Sequence, residues 1–244
     1  MKALLVRVGI DSTFGKWNAP IDPQSGEFVY LPIPEFMPSH KHLERCYTET
    51  LPVLKRFCEK YKLELARDLN FPSTLLNKKM HLDPDFHELT YGDNGARRGV
   101  IMSRMKSGDV LAFYSSLRPI KESTQTLIYA IIGLYVVKEV VCVGDVEKKR
   151  WQQNAHTRRV KPQATEIVVR AKKNESGRLE SCIPIGEWRD RAYRVRKDLI
   201  KKWGGLSVNN GYIQRSAVPP ALTHPQRFYD WFLKQNVRLI PSNN

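Results

Sequence analysis

Residues 127–143, LIYAIIGLYVVKEVVCV, decide the fold of this chain. β-Branched and aromatic residues fill the segment, and they favour a strand because they pack well on a pleated, half-buried surface. Gly133 in the middle of the run indicates a bulge or a bend. The segment therefore predicts one long strand that is interrupted near its centre.

Other segments of strand-forming residues lie on both sides of this one. A Gly-Asp turn leads into VLAFY (110–114), and TEIVVRA (165–171) and LESCIPI (179–185) follow later. Upstream, ALLVRVGI (3–10) predicts a first strand, and FVYLPIP (28–34) predicts a short one that ends at its prolines, which cannot donate to a ladder. This spacing favours a curved sheet or barrel over alternating βα units.

Two patterns with helical spacing predict helices towards the two ends of the chain. The first predicts a helix over about 50–62, with an apolar stripe at Leu54, Phe57, Cys58 and Tyr61. The second predicts a helix over 187–203, with an apolar face at Trp188, Ala192, Val195, Leu199 and Trp203. Gly204 and Gly205 would end the second helix.

Together these elements predict an α+β protein in which a curved mixed β-sheet is packed by N-terminal and C-terminal helices. We expect a single domain over 1–244. Its N-terminal strand-loop-helix part would cover 1–80, its β core 81–185, and its helical C-terminal part 186–244.

The composition indicates a polyanionic partner. Forty Lys and Arg stand against 25 Asp and Glu, so the formal net charge is +15, and the pI is about 9.7. Nucleic acid is the polyanion that such a domain is expected to bind. The longest apolar run has eleven residues, too short to cross a bilayer, and the first residues do not form a signal peptide. We therefore expect no membrane partner and a cytoplasmic protein, with its four separated cysteines reduced.

The segment 148–161, KKRWQQNAHTRRVK, is rich in cations and contains no acid. Long cationic side chains pair with phosphates and release counterions, which gives an affinity that falls with salt. The alternative is a solvated loop between two strands. We predict a phosphate-binding set made of Lys148, Lys149, Arg150, Arg158, Arg159 and Lys161.

The segment 81–93, HLDPDFHELTYGD, concentrates potential metal ligands and acids. His81, Asp83, Asp85 and His87 alternate, as residues on one side of a strand do, but Pro84 interrupts them and their spacing is not that of a known zinc site. A second alternative is a loose PD…ExK nuclease pattern, in which Asp83, Asp85 and Glu147 would hold Mg²⁺ beside a scissile phosphate. A third is a capped turn.

We predict that this segment is a recognition loop, with no bound metal and no cofactor. Walker loops, GxSxG, GxGxxG and HExxH patterns are absent from the sequence, so no catalytic residue is predicted.

Several motifs in a fixed order resemble a known family. VRVGID, FVYLPIPE, HLDPDFHELTYGD, GDVLAFYSSL and IYAIIGLYVV are similar to the nucleotide modification associated domain 3 family, most clearly over residues 4–35 and 81–137. The resemblance implies a prokaryotic protein, associated with DNA base modification, that acts on or recognises unusual nucleotides. It implies no particular catalytic residue.

Residues 105–143 also resemble PUA-type barrels, including the ASCH and EVE relatives, which implies a small PUA-like barrel with an aromatic-lined pocket. Such a pocket recovers the cost of unstacking a base through stacking and hydrogen bonds to its edge. The side chains expected to line it are the aromatic residues Tyr91, Phe113, Tyr114 and Trp151, with Asp93 and Asp85 as acceptors. For Phe113 and Tyr114, the alternative is an ordinary strand with one of the two buried.

These observations predict a nucleic-acid-binding protein that recognises a modified base, in DNA rather than RNA, within a base-modification or defence system. Two alternatives stay open. One is a metal-dependent nuclease or other nucleotide-modifying enzyme, and the other is a non-catalytic assembly subunit that binds partner proteins of such a system.

Overall fold

A mixed β-sheet built on two long strands forms the centre of the protein. A computed structural model describes residues 1–96, 99–120, 126–215 and 218–244. Its strands are β1 (Ala3–Arg7), β2 (Pro20–Ile21), β3 (Ile33–Pro34), β4 (Met80–His81), β5 (Thr90–Asn94), β6 (Val110–Pro119), β7 (Ile128–Cys142), β8 (Glu166–Ala171), β9 (Gly177–Pro184), β10 (Gly186–Arg189), β11 (Ala192–Val195) and β12 (Leu239–Ile240). Its α-helices are α1 (Leu51–Tyr61), α2 (Ser73–Leu76), α3 (Val100–Ser103), α4 (Lys197–Trp203) and α5 (Pro225–Leu233).

The sheet has the order β1-β6-β7-β8-β5, with β1 parallel to β6 and the other neighbours antiparallel. The first half of β7 also pairs with β9, whereas its second half pairs with β8. The register shifts next to Gly133, so the predicted irregularity is confirmed. The described strands do not close into a barrel, and the PUA-like barrel therefore stays an unconfirmed prediction.

Both faces of the sheet are buried. One face packs against α1 and the 81–93 segment, in a core that contains Phe57, Phe86 and Phe113. The other face packs against α4 and α5, in a core that contains Tyr114 and Trp203. Adjacent strand residues point to opposite faces, which is why Phe113 and its neighbour Tyr114 belong to different cores.

Gly133 also fixes the position of the 81–93 segment on the sheet. A Cβ atom at this position would lie 2.3 Å from a ring carbon of Phe86, so only glycine leaves room for that ring. The Phe86 ring makes edge-to-face contacts with Phe113 and Tyr135. The break in the central strand is thus the place where this segment is anchored.

The structure corrects two of the predicted elements. The predicted helix over 187–203 is wrong, since residues 186–195 form the β10–β11 hairpin and only Lys197–Trp203 is helical. Asp190 and Arg191 make the turn with positive φ angles of 51° and 61°. The predicted strand over 28–34 is reduced to β3, which pairs with β4.

The other predicted elements hold better. The helix predicted over about 50–62 is confirmed as α1, and the strands predicted over 165–171 and 179–185 are β8 and most of β9. In the part of the chain that the structure describes, no helix has the length and apolar character needed to cross a membrane.

Candidate metal centre

Four segments converge at one edge of the sheet. The β3–β4 ladder pairs Ile33 with His81, which brings Glu35, two residues after Ile33, beside the His81 ring. Asp83 follows β4, and β5 runs next to it. The loop after the 3₁₀ helix Lys148–Gln153 folds back onto the same place and supplies His156.

His81, Asp83 and His156 form a three-residue cluster at this convergence. Their ligand atoms all lie within 4.8 Å of one another. The Oδ2 atom of Asp83 is 3.8 Å from the Nε2 atom of each histidine. These separations are too long for hydrogen bonds, so the three atoms face one another without a shared proton.

Two buried carboxylates fix the orientation of the histidine rings. Nδ1 of His81 lies 2.6 Å from Glu35, and Nδ1 of His156 lies 3.0 Å from Glu166. Burial would raise the pKa of Glu35, but the hydrogen bond and charge of His81 outweigh it and lower that pKa to about 2. The pKa of Glu166 is also lowered, because its contact with His156 outweighs the effect of burial.

Ionised carboxylates can only accept hydrogen bonds, so each histidine donates from Nδ1. In the neutral form of each ring, Nε2 then carries a lone pair directed towards Oδ2 of Asp83. Histidines held by carboxylates in this way are typical of metal sites, because the carboxylate fixes the tautomer and makes the ligand nitrogen more basic.

The second oxygen of Asp83 is held in place by donors. Oδ1 accepts from the backbone N–H of Gly92 at 2.8 Å and from the Asn154 side chain at 2.9 Å. Gly92 must be glycine, since a Cβ atom there would lie 2.2 Å from the His156 ring. Burial raises the pKa of Asp83 to about 7, and burial lowers the pKa of His156 to about 4.

Arg159 joins the two carboxylates that orient the histidines. Its guanidinium donates to Glu166 at 2.8 Å and lies 3.8 Å from Glu35. The Arg159 guanidinium also lies 3.3 Å from Nδ1 of His156, but the proton on this nitrogen is donated to Glu166, which is closer. One cation therefore neutralises part of the charge that two buried carboxylates place around the cluster.

The cluster fits a divalent transition metal. Two histidines and one carboxylate are the protein ligands of catalytic zinc sites and of non-haem iron(II) sites, which leave positions open for water or substrate. Ligand atoms about 2.1 Å from a tetrahedral ion are about 3.4 Å apart, so the observed separations, two of 3.8 Å and none above 4.8 Å, require side-chain rotations that close gaps of about 0.4–1.4 Å.

The cluster opens onto a cleft of about 630 Å³, a volume in the range of small-molecule sites. Arg7 at the end of β1 and five of the residues from Val8 to Phe14 line this cleft together with the cluster, Tyr91 and Asp93. Burial raises the pKa of Asp93 to about 6 and that of Tyr91 well above its usual value.

A family comparison places this site in a known context. Residues 2–210 of the 244-residue chain match the sequence profile described as nucleotide modification associated domain 3. The chain belongs to this family. Membership confirms the resemblance found in the motifs and associates the protein with nucleotide modification. No curated protein and no solved structure is significantly similar to this chain.

In this member of the nucleotide modification associated domain 3 family, the residues predicted to form a base pocket do not come together. Tyr91 and Asp93 line the cleft. Phe113 is buried behind Tyr91, and Tyr114 points to the opposite face of the sheet, where its hydroxyl donates to the carbonyl of Ile213. The other two lie elsewhere: Trp151 stacks on His40, and Asp85 is buried against Arg158.

The predicted phosphate-binding set also divides. Lys148, Lys149, Arg150 and Lys161 are exposed, with Lys149 paired to Glu147. Arg158 and Arg159 do not belong to such a surface, because both guanidinium groups point inward to carboxylates. They stabilise the two loops that form the cluster.

The nuclease alternative places its three acids in different environments. Asp83 faces the cleft, Asp85 is in an ion pair with Arg158, and Glu147 is exposed on the surface. The ligand that the sequence did not single out is His156, which stands in the basic segment 73 residues after Asp83. His87, which was considered with His81, is exposed.

Proposed function

We propose that the protein is a metal-dependent enzyme of a nucleotide modification system. His81, Asp83 and His156 are its metal ligands, and a nucleotide occupies the cleft beside them. The observation that carries this proposal is the convergence of three atoms that can each offer a lone pair to a metal, with the other nitrogen of each histidine held by a buried carboxylate. Facing lone pairs repel one another, and a bound cation turns that repulsion into attraction.

The side chains around the cluster support a catalytic role for the metal. A metal bound here would act as a Lewis acid or activate a bound ligand such as water. Glu35 and Glu166 hold the two histidines in their metal-binding tautomer, and Arg159 offsets the charge of these carboxylates. Asp83 contributes the negative charge of the ligand set, and its position is fixed through Gly92 and Asn154.

The cleft is suited to a nucleobase next to the metal. Tyr91 offers an aromatic ring. Asp93 offers a carboxyl group that accepts hydrogen bonds when ionised and donates one when protonated, and its pKa of about 6 lies close to neutral pH. A base bound by stacking and by hydrogen bonds to its edge would present one edge to the metal. Tyr91 and Asp93 are thus the two members of the predicted pocket that we retain.

The test is a search for a metal-dependent change in a nucleoside. The purified chain is loaded with Fe²⁺, Zn²⁺ or Mn²⁺ and incubated with DNA, RNA and free nucleotides, which are digested and analysed by mass spectrometry. We expect a nucleoside mass change that His156→Ala abolishes. His87→Ala is the matched control, because His87 lies in the same segment but is exposed, and this variant should retain the change. Unchanged nucleosides with every metal and substrate would contradict the proposal.

A second candidate is a reader that binds a modified base in DNA without altering it. The net charge of +15 and the exposed cations of the 148–161 segment favour binding of nucleic acid. A reader would bind an oligonucleotide with the same affinity in the Asp83→Ala variant as in the wild type, and would leave every nucleoside mass unchanged.

A further inference from the structure

Exposed apolar side chains collect on two segments that are next in sequence to residues around the metal centre. Eight large hydrophobic side chains are exposed among the described residues. Three of them, Phe36, Met37 and Val160, lie on two adjacent segments, joined where the Val160 N–H donates to the Pro38 carbonyl at 3.0 Å. Phe14, a fourth, lines the cleft itself. We name Phe36, Met37 and Val160, with the neighbouring Lys161, the mouth strip.

The mouth strip is directly connected to the metal centre. Phe36 follows Glu35, and the backbone N–H groups of Phe36 and Met37 donate to the carboxylate that orients His81. Val160 follows Arg159, which contacts the carboxylate that orients His156. Phe36 is thus next in sequence to the carboxylate that orients His81, and Val160 is next to the arginine that contacts the carboxylate orienting His156.

Cations accompany the mouth strip, and acids do not. Residues 36–42 and 148–161 contain no Asp or Glu. Lys41, Lys148, Arg150 and Lys161 are exposed on these two segments. The strip continues into the stack of His40 on Trp151, whose ring centroids are 4.7 Å apart, and Lys148 lies over the same Trp151 ring.

From this arrangement we infer that the mouth strip binds an unpaired stretch of a nucleic acid strand. The inference rests on the proposed function and names its substrate class, which is a base within a polynucleotide and not a free nucleotide. Bases would stack on Phe36 and on the His40–Trp151 pair, and phosphates would meet Lys161 and Lys148. One base would then enter the cleft, next to the metal.

The combination of groups favours a strand over a protein partner. Apolar side chains alone would suit a protein surface equally well. Aromatic rings interleaved with cations, with no acid among them, match the alternating bases and phosphates of a single strand. A duplex presents its bases only at the edges, so its rings cannot stack on exposed side chains unless a base is first unstacked.

The experiment compares oligonucleotide binding by the full chain and its variants, using fluorescence anisotropy. The probes are a labelled 15-nucleotide single strand, the same sequence as a duplex, and thymidine monophosphate as a competitor, each at two salt concentrations. We expect the single strand to bind most tightly. Phe36→Ala should weaken its binding at least about fivefold, because one stacking contact is lost. The metal content should be unchanged, since the backbone donors to Glu35 are retained.

Two matched controls separate the mouth strip from general effects. Leu233→Ala removes another exposed apolar side chain, from α5 on the other side of the sheet, and should change the affinity less than about twofold. Lys161→Glu and Lys234→Glu alter the net charge equally. Lys161→Glu should also lower the slope of log affinity against log salt concentration by about one phosphate contact, whereas Lys234→Glu should leave that slope unchanged.

The outcomes distinguish the two proposals. If Phe36→Ala has no more effect than Leu233→Ala, or if the monophosphate competes as well as the strand, the mouth strip is not a strand-binding surface, and a protein partner becomes the occupant to consider. The metal centre is unaffected by that result. If the strand binds through Phe36 but the chain holds no metal, this inference stands and the proposed enzyme fails.

Discussion

Asp83 and Asp85 lie two residues apart in one segment, and both are buried, yet their surroundings differ. Asp85 is saturated: it contacts Arg158 at 2.8 Å, accepts from the Asn243 side chain at 3.0 Å, and accepts from two backbone N–H groups of its own turn. Within the described residues, donors reach Oδ1 of Asp83 but not Oδ2, which faces the Nε2 atoms of both histidines.

The difference shows how a structural carboxylate is distinguished from a functional one. A buried charge with a full set of partners stabilises the fold only as long as every partner remains. A buried carboxylate with an open oxygen has a raised pKa and destabilises the metal-free protein, so its presence indicates a ligand. Four predictions, from the largest expected effect to the smallest, test this contrast.

Arg158→Met should cause the largest loss of stability. It removes the cation from Asp85 and leaves a buried charge without a counterion, which we expect to lower the free energy of unfolding by about 3–5 kcal/mol. Urea denaturation measures this directly. Lys149→Met is the control, because its ion pair with Glu147 is exposed and should contribute about 1 kcal/mol or less. If the two substitutions lowered the free energy of unfolding equally, the buried Arg158–Asp85 pair would contribute no more than the exposed Lys149–Glu147 pair, which would contradict this account.

Glu166→Gln should weaken metal binding by about 10–100-fold, since the amide holds the His156 tautomer less firmly than the carboxylate does. Competition with a chromophoric chelator gives the affinity. Glu180→Gln changes an exposed acid far from the cluster and should leave the affinity at the wild-type value. A wild-type affinity in Glu166→Gln would show that the carboxylate has no part in the metal site.

Metal affinity should fall by about tenfold for each pH unit below 7. Burial raises the pKa of Asp83 to about 7 in the metal-free protein, so below this pH the metal must displace a proton from the carboxyl group. His156, with a pKa of about 4, is already neutral in this range and adds nothing. Isothermal titration at pH 6, 7 and 8 checks the trend, and an affinity that is constant between pH 6 and 7 contradicts the role of Asp83.

Asp83→Asn should have the smallest effect on stability. The folded-state pKa of Asp83 exceeds its unfolded value, so the stability that protonation contributes is present at low pH and is lost as the pH rises through 7. An amide avoids this loss and can keep both hydrogen bonds to its oxygen. At pH 8 we expect the metal-free variant to be as stable as the wild type, or more stable by about 1 kcal/mol. If Asp83→Asn lowered the free energy of unfolding by about 3 kcal/mol, as expected for Arg158→Met, the Asp83 carboxylate would stabilise the fold in the way that Asp85 does, and the contrast would fail.

Long apolar runs made the centre of the fold predictable. Strands β6 to β9 and helix α1 follow from local patterns, because the strands are runs rich in β-branched and aromatic residues and the helix has an apolar stripe at helical spacing. The β10–β11 hairpin was missed because Trp188, Ala192 and Val195 stand at the spacing of one helical face. The turn of this hairpin is formed by Asp190 and Arg191, which both have positive φ angles. Residues other than glycine seldom adopt such angles, so the sequence did not indicate a turn here.

The metal centre was less predictable than the fold. His81 and Asp83 belong to the segment 81–93, which is rich in potential metal ligands. The third ligand, His156, lies in a separate loop that only the folded chain brings next to them. Arg158 and Arg159 resembled surface cations in the sequence because their buried partners, Asp85 and Glu166, both lie outside the basic segment 148–161. A buried glutamate beside each histidine is the signal that identifies the site, and only the folded chain shows it.

The most direct test of the central claim is the metal content of the purified chain. Wild-type protein, His87→Ala and Asp83→Ala are equilibrated with Fe²⁺, Mn²⁺ and Zn²⁺ in the absence of oxygen. Free ions are then removed, and the bound metal is measured by inductively coupled plasma mass spectrometry. We predict about one tightly bound ion per chain in the wild type and in His87→Ala, and none in Asp83→Ala. Equal metal content in all three proteins, or none in any of them, would contradict the assignment of His81, Asp83 and His156 as a metal centre.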